Sequence, residues 1–184
     1  MPVNWSFIEK EEGGSTRVGY VPYDRDKDNS GVTIGMGIDL GWRSEGELIN
    51  NFRLPAPLIN KLVPYLGKRG DKAREYIKFC PLVLTEEEAK ALNFHTLSFF
   101  EEQLKRKYDS SSTCLRWDDL STAQQTVIMS VYFQHGPQMF KYDFWDQAIG
   151  GRWYAMINNL KDFRDAYGKR RKREALYLET FMLY

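Results

Sequence analysis

Three helix-start signals of one kind divide this chain unequally. Ser44-Glu45-Gly46-Glu47, Thr85-Glu86-Glu87-Glu88 and Ser121-Thr122-Ala123-Gln124 all fall after residue 43. In each, a hydroxyl accepts from the amide three residues on. The Glu or Gln at that position reaches back to the first residue's own N–H, so two donors that a helix start leaves orphaned are satisfied. Before residue 43 the spacing is that of strands. Val32, Ile34, Met36 and Ile38 alternate with Thr33, Gly35 and Gly37, and Gly19-Tyr20-Val21-Pro22-Tyr23 lies across a polar loop, Asp24 to Ser30. That pattern predicts a β-hairpin, with Pro22 keeping its strand at an edge or irregular. The fold class expected is α+β and mainly helical.

The helical part can be read further. Residues 4–11 predict a short helix stopped by Gly13-Gly14. The second capping box opens the longest stretch, about 86–107, with Ala89, Leu92, Leu97, Phe100 and Leu104 on one stripe and Ala91, Phe94 and Phe99 off it. A helix apolar on more than one side is buried on more than one side, as a helix linking two lobes would be. The third box opens a helix with Val127, Ile128 and Val131 inward, stopped by Gly136-Pro137. Residues 138–184 read as short helices. One domain is expected, with an α+β lobe at about 13–83, an interlobe helix at 84–107, and a helical lobe at 108–184 joined by the N-terminal helix 4–12. A cleft between lobes is the default place for a ligand.

Charge excludes several classes. Lys and Arg number 26 against 25 Asp and Glu, a net +1, so neither a highly charged tail nor an acidic disordered chain is the theme. The basic run Lys169-Arg170-Arg171-Lys172-Arg173 therefore reads as a solvated helix face, a patch for an anionic polymer, or equally a packed helix with snorkelling side chains, rather than a nucleic-acid site. No apolar run reaches the ~18 residues of a membrane helix. Met1-Pro2-Val3-Asn4-Trp5 shows no cationic leader.

Cys80 and Cys114 are expected as free buried thiols. They have no metal-ligand spacing with His95 and His135, and His135 reads as a helix C-terminal cap. Asp24, Asp26 and Asp28 have calcium-loop spacing, but Asn29 and Gly35 stand where the turn Gly and the bidentate Glu belong. Gly35-Met36-Gly37 with Gly41 misses the dinucleotide fingerprint, and no βαβ unit surrounds it. No metal and no cofactor is expected.

What remains is a set of carboxylates around the hairpin: Glu9, Glu11, Glu12, Asp24, Asp26, Asp28 and Asp39. Glycoside hydrolysis needs two carboxyl groups across a cleft, one protonated as acid and one ionised as base or nucleophile. A Glu at a helix end beside Gly13-Gly14 and a cleft-lining hairpin suits the first. Surface carboxylates are common, and spacing alone leaves the choice open.

Glu12-Gly13 followed by a hairpin containing Val32-Thr33-Ile34-Gly35-Met36-Gly37 resembles the catalytic start of the T-even phage lysozyme superfamily. The longer stretch from Gly31 to Gly41, ending Ile38-Asp39-Leu40-Gly41, is most similar to its pesticin-like muramidase branch. Three further matches follow in order: Leu84–Ala89 with the interlobe helix, Ser130–Gly136 with the central helix, and Arg170–Tyr177 with an Arg-rich helix near the end. Residues 43–83 match least.

The resemblance implies a lysozyme-like two-lobed fold and a muramidase cutting the β-1,4 bond between N-acetylmuramic acid and N-acetylglucosamine. Glu12 would be the general acid, its pKa raised by partial burial. Thr33 would position the water or the partner carboxylate. The second carboxylate falls on Asp39 by the pesticin-like pattern, and on Asp24 or its neighbours Asp26 and Asp28 by the phage pattern; Asp39-Leu40-Gly41 favours Asp39. Asp39 must stay ionised, with the Thr33 hydroxyl as one donor. Gln134, Asp24 and Tyr23 are the expected substrate-binding positions.

A straight strand would hold Thr33 and Asp39 about 20 Å apart, so Gly35 and Gly37 must bend the chain if both serve one site. The resemblance leans towards inversion, which the carboxylate separation would decide. Lytic transglycosylase and inactive wall-binding module are the alternatives. The expected partner is the peptidoglycan glycan strand, with an immunity protein if this is a secreted toxin rather than a phage endolysin. Neither nucleic acid nor membrane is expected, and the protein reads as a monomer. It would be made in the cytoplasm without a cleaved leader and act in the periplasm or on the cell wall.

Overall fold

The computed structural model describes residues 3–22 and 29–182. The chain divides into two compact units, Glu12–Phe99 and Met1–Glu11 with Phe100–Tyr184. In the first unit β1 (Thr16–Tyr20), β2 (Thr33–Gly35) and β3 (Ile38–Asp39) form one antiparallel sheet in that order. The outer edge of β1 is covered by residues 82–84: the Gly19 N–H donates to the Leu82 carbonyl at 2.9 Å and the Leu84 N–H to Arg17 at 2.8 Å. Pro22 lies past the end of β1, where its missing N–H interrupts no ladder.

The segment expected as one alternating strand is instead two short strands and a turn. Gly35 and Gly37 have φ of 63° and 85°, a left-handed conformation that side chains resist, and they fold the chain back on itself. A Cβ on Gly35 would also stand 2.6 Å from Asn93 Oδ1. Alternation fails because the tip is enclosed: residues 32–36 are all buried. Asn93 holds this tip, accepting from the Met36 N–H at 3.0 Å and donating to Ser15 Oγ at 2.8 Å.

Helices follow the capping signals. Ser44 and Glu47 make their reciprocal bonds at 3.1 and 3.3 Å, opening a π-helical turn, Glu47–Asn51. Then come α2 (Ala56–Leu62), α3 (Gly70–Phe79) and the long α4 (Glu86–Ser111). Thr85 and Glu88 close the box of α4 at 2.8 and 3.1 Å, and Lys61 adds an ion pair to Glu88 at 2.6 Å. Leu92, Leu97 and Leu104 of the expected stripe are buried, whereas Phe94 is exposed.

In the second unit α5 (Thr122–His135) is the central element, buried without a break from Gln125 to Val131. The helices α1 (Trp5–Glu11), α6 (Asp143–Ile149), α7 (Trp153–Lys161) and α8 (Gly168–Met182) complete it. Ser121 and Gln124 cap α5 as the sequence predicts, with bonds of 2.8 and 3.3 Å.

The basic run of α8 is only in part a solvated face: Lys169, Lys172 and Arg173 are exposed, but its other two cations are not. Arg170, Arg171 and Glu174 are buried. Arg170 Nε lies 3.0 Å from Glu174 Oε1, and Arg171 Nη1 lies 2.6 Å from Oε2. Arg171 also pairs with Asp165 at 2.9 Å, and Ser130 Oγ donates to Glu174 at 2.5 Å. Arg173 grips Glu11 with two bonds, at 2.7 and 2.5 Å. These arginines serve this unit's own carboxylates, and the charge balance that made the run look solvated is the sign of that pairing.

His135 is likewise not a backbone cap. Its Nε2 lies 3.1 Å from Asp165 Oδ2 and 3.0 Å from Arg171 Nη2, and its ring stacks on Phe163. Cys80 and Cys114 are free but exposed, since each sits in a loop just past a helix and not on a core face. No helix among the described residues is long and apolar enough to cross a membrane.

Candidate active site

Folding the glycine-rich segment back on itself brings two of the predicted site residues together. Thr33 of β2 pairs with Asp39 of β3 across the ladder. The Leu40 N–H donates to the Val32 carbonyl at 2.9 Å, which makes 33–39 a non-hydrogen-bonded pair, the kind whose side chains stand closest, with Cα atoms about 4.5 Å apart. The separation of a straight strand is removed by the turn at Gly35 and Gly37.

Asp39 is held by backbone. Its Oδ1 accepts from the Gly41 N–H at 2.8 Å and the Gly31 N–H at 3.0 Å, and Oδ2 lies 3.1 Å from the Gly31 nitrogen. It thereby N-caps the 3-10 turn Leu40–Trp42. The donors are these amides and not Thr33, which is buried and whose hydroxyl donates to the Gly31 carbonyl at a long 3.5 Å. Gly31 and Gly41 pass so closely that a Cβ on Gly31 would sit 2.3 Å from the Gly41 nitrogen and 2.5 Å from Asp39 Oδ1. The carboxylate is therefore clamped where the two ends of the hairpin cross. A carboxylate has about four lone-pair sites, and the shared Gly31 bond leaves Oδ2 free to accept more.

Glu12 is the first residue of the same unit, one past the end of α1 and four before β1. Gly13 and Gly14 follow it with φ of 82° and 96°. Its neighbour Glu11 is committed to Arg173, with its side chain almost fully enclosed. Gln134 belongs to the other unit, where its side-chain oxygen accepts from Arg170 Nη1. Tyr23, Asp24, Asp26 and Asp28 lie outside the described residues. Among the described residues no group of three His, Cys, Asp or Glu side chains is placed to hold a metal ion.

Sequence reasoning missed how Asp39 is held. The two glycines ten apart, one eight residues before the carboxylate and one two after it, were the available signal. Asn93, which anchors the turn, carried no local signal at all.

The profile of the family described as "Pesticin: Bacterial toxin homologue of phage lysozyme, C-term" matches residues 2–154. The chain belongs to this family. The pesticin match covers the whole sheet-bearing unit and runs through α6, ending before the buried arginines of α8. It accounts for the mainly helical α+β fold with a three-stranded antiparallel sheet, and it makes the protein lysozyme-like, of a class that implies glycoside hydrolysis. A search of curated proteins returns no match.

Proposed function

We propose that this pesticin-family protein is a muramidase that hydrolyses the β-1,4 bond between N-acetylmuramic acid and N-acetylglucosamine in peptidoglycan. The observation that carries the reading is the cross-strand pairing of Thr33 with a clamped Asp39 in a chain of lysozyme-like family. In this mechanism protonated Glu12 gives its proton to the glycosidic oxygen as the bond to the anomeric carbon breaks. Water attacks that carbon and passes its proton towards Asp39 Oδ2, while Thr33 fixes the water's approach. The amides of Gly31 and Gly41 prevent the base from swinging, and pre-positioning of this kind is what the entropy argument requires of a catalytic group. The family's description as a toxin homologue supports a toxin, and its place of action would be where peptidoglycan lies, in the periplasm or on the wall.

One observation favours a second reading. With both ends of the hairpin drawing on Asp39, its first duty is structural, and a reaction needing only Glu12 would leave it that duty alone. That reaction is lytic transglycosylation, which leaves an anhydro sugar end instead of adding water.

Digestion of purified sacculi by wild type and Glu12→Gln, with soluble fragments read by mass spectrometry, separates the two. Reducing N-acetylmuramic acid ends from wild type, with about 10²–10⁴-fold slower release by the variant, are expected. Anhydro ends would replace the hydrolase by the transglycosylase. Intact sacculi from both proteins would overturn an enzymatic reading and leave a wall-binding module.

A further inference from the structure

Three residues after Asp39, at the end of the turn that Asp39 caps, Trp42 leaves the core and is 57% exposed. Its ring is not adrift. The Arg69 guanidinium lies over it, 4.1 Å from the ring centroid. Arg69 is fixed in turn, because its backbone bridges Gly31 and the Gly70 N–H donates to the Ser30 carbonyl at 2.9 Å. The Gly67 N–H donates to the Leu40 carbonyl at 3.2 Å, and a Cβ on Gly41 would meet Arg69 Cγ at 2.7 Å. The 67–70 loop is thus stitched to the same crossing of Gly31 and Gly41 that holds Asp39.

Arg69 has no carboxylate partner among the described residues, unlike Arg43, which pairs with Glu47 at 3.2 Å. Hydrophobic burial gives no reason for a large ring in solvent, and a guanidinium stacked on it steadies the ring at one orientation.

We infer that Trp42 and Arg69 form a saccharide subsite beside Asp39, in which the exposed ring stacks on the C–H face of an N-acetylated hexosamine and Arg69 takes the carboxylate of an acidic one. An indole offers a flat apolar face, and a sugar ring offers a flat face of C–H groups; the hydroxyls stay in water. Arg69 adds a charge requirement that a neutral chitin oligomer does not meet and an N-acetylmuramic acid residue does where its lactyl carboxylate is free of a stem peptide. The subsite rests on the muramidase reading for its place along the glycan, and on Trp42 and Arg69 alone for its chemistry.

The test uses full-length protein carrying Glu12→Gln, so that ligand is not consumed, titrated with chitohexaose and with soluble, peptide-stripped peptidoglycan glycan strands. Intrinsic fluorescence and calorimetry read the binding. Trp42→Ala is expected to weaken both ligands about tenfold, the order of loss an aromatic anchor carries. Trp42→Phe keeps a smaller flat ring and should recover part of that loss while abolishing the ligand-induced fluorescence change. Arg69→Gln keeps a planar group over the indole but removes the charge. It should weaken only the acidic glycan, by several-fold at low salt and less as salt rises.

In the Glu12-intact protein the Trp42→Ala loss should fall more on KM than on kcat. Cleavage of sacculi with binding and KM indifferent to Trp42 would sink the subsite and leave the muramidase standing. Trp42-dependent binding without cleavage would do the reverse. Equal losses for both ligands in Arg69→Gln would overturn the acidic selectivity.

Discussion

Two carboxylates in this protein are held at a fixed point by opposite means. Asp39 is held by two backbone amides at the crossing of two glycines, and Glu174 by two buried guanidinium groups and a serine hydroxyl. Arg170 Nε and Ser130 Oγ engage Glu174 Oε1 and Arg171 Nη1 engages Oε2, so neither oxygen faces solvent. Asp39 keeps capacity on Oδ2 and is half-buried. The comparison separates two ways of fixing one functional group: ionic partners on every side consume a carboxylate, whereas a backbone clamp from one side orients it and leaves an oxygen able to accept more.

The largest effect should come from the consumed carboxylate. Glu174→Ala takes from two buried guanidiniums the carboxylate they share, and breaking a buried ion pair by removing one partner costs about 3–5 kcal/mol. Urea denaturation of this variant should show a large fall in the transition midpoint of the α5–α8 unit. A fall of less than about 1 kcal/mol would mean that Arg170 and Arg171 find solvent easily and that the network is not closed.

Next is the glycine crossing. Gly31→Ala places a methyl group 2.3 Å from the Gly41 nitrogen, a clash with backbone that no rotamer relieves. Overpacking of this kind costs about 1–3 kcal/mol, and it should also displace Asp39 from its two amides. Thermal melting together with sacculus digestion should show both losses. An unchanged midpoint would mean that the hairpin ends spread apart without penalty.

The acid limb of stability gives a smaller signal. Burial pushes the Asp165 carboxyl up, but the Tyr167 amide, Arg171 and His135 outweigh it and hold the group below the usual carboxylate range. A depressed folded value means that the stabilisation is fully present above the unfolded value near pH 4 and is lost as pH falls through the folded one. Wild type should therefore lose stability below about pH 4 more steeply than Asp165→Asn. Parallel acid limbs in the two proteins would remove Asp165 from the network's energetics.

How much of this was legible in the sequence depends on the range of the interaction. Capping boxes are local, and all three stand where Ser44, Thr85 and Ser121 predict them. The hairpin was legible as a pair of strands but not in its register, because alternation cannot distinguish one long strand from two short ones folded at Gly35 and Gly37. The burial of Arg170 and Arg171 is not legible, and a solvated and a packed helix stay equally open, because a run of cations carries no mark of its partners, which here include Asp165, Ser130 and Glu174. The positions of Glu12, Thr33 and Asp39 came from likeness to a known motif. The physical reason for Gly31 and Gly41 in that motif appeared only when the structure brought them into contact.

The smallest stability effect is the most informative about Asp39. Asp39→Asn keeps a side-chain oxygen that can accept from Gly31 and Gly41, and it exchanges two charge-assisted bonds for neutral ones, a cost of about 1 kcal/mol. Asp39→Ala leaves both amides without a partner and removes the cap of the Leu40–Trp42 turn, so it should cost about twice as much. If Asp39 were only a clamp, activity would follow stability, and the Asn variant would digest sacculi at nearly the wild-type rate. If Oδ2 is the base, the order uncouples: the Asn variant is the more stable of the two and as inactive as the Ala variant, because an amide nitrogen in place of Oδ2 cannot take a proton from water. Melting curves and digestion rates measured on the same two proteins therefore tell a carboxylate that holds the hairpin from one that holds it and also reacts.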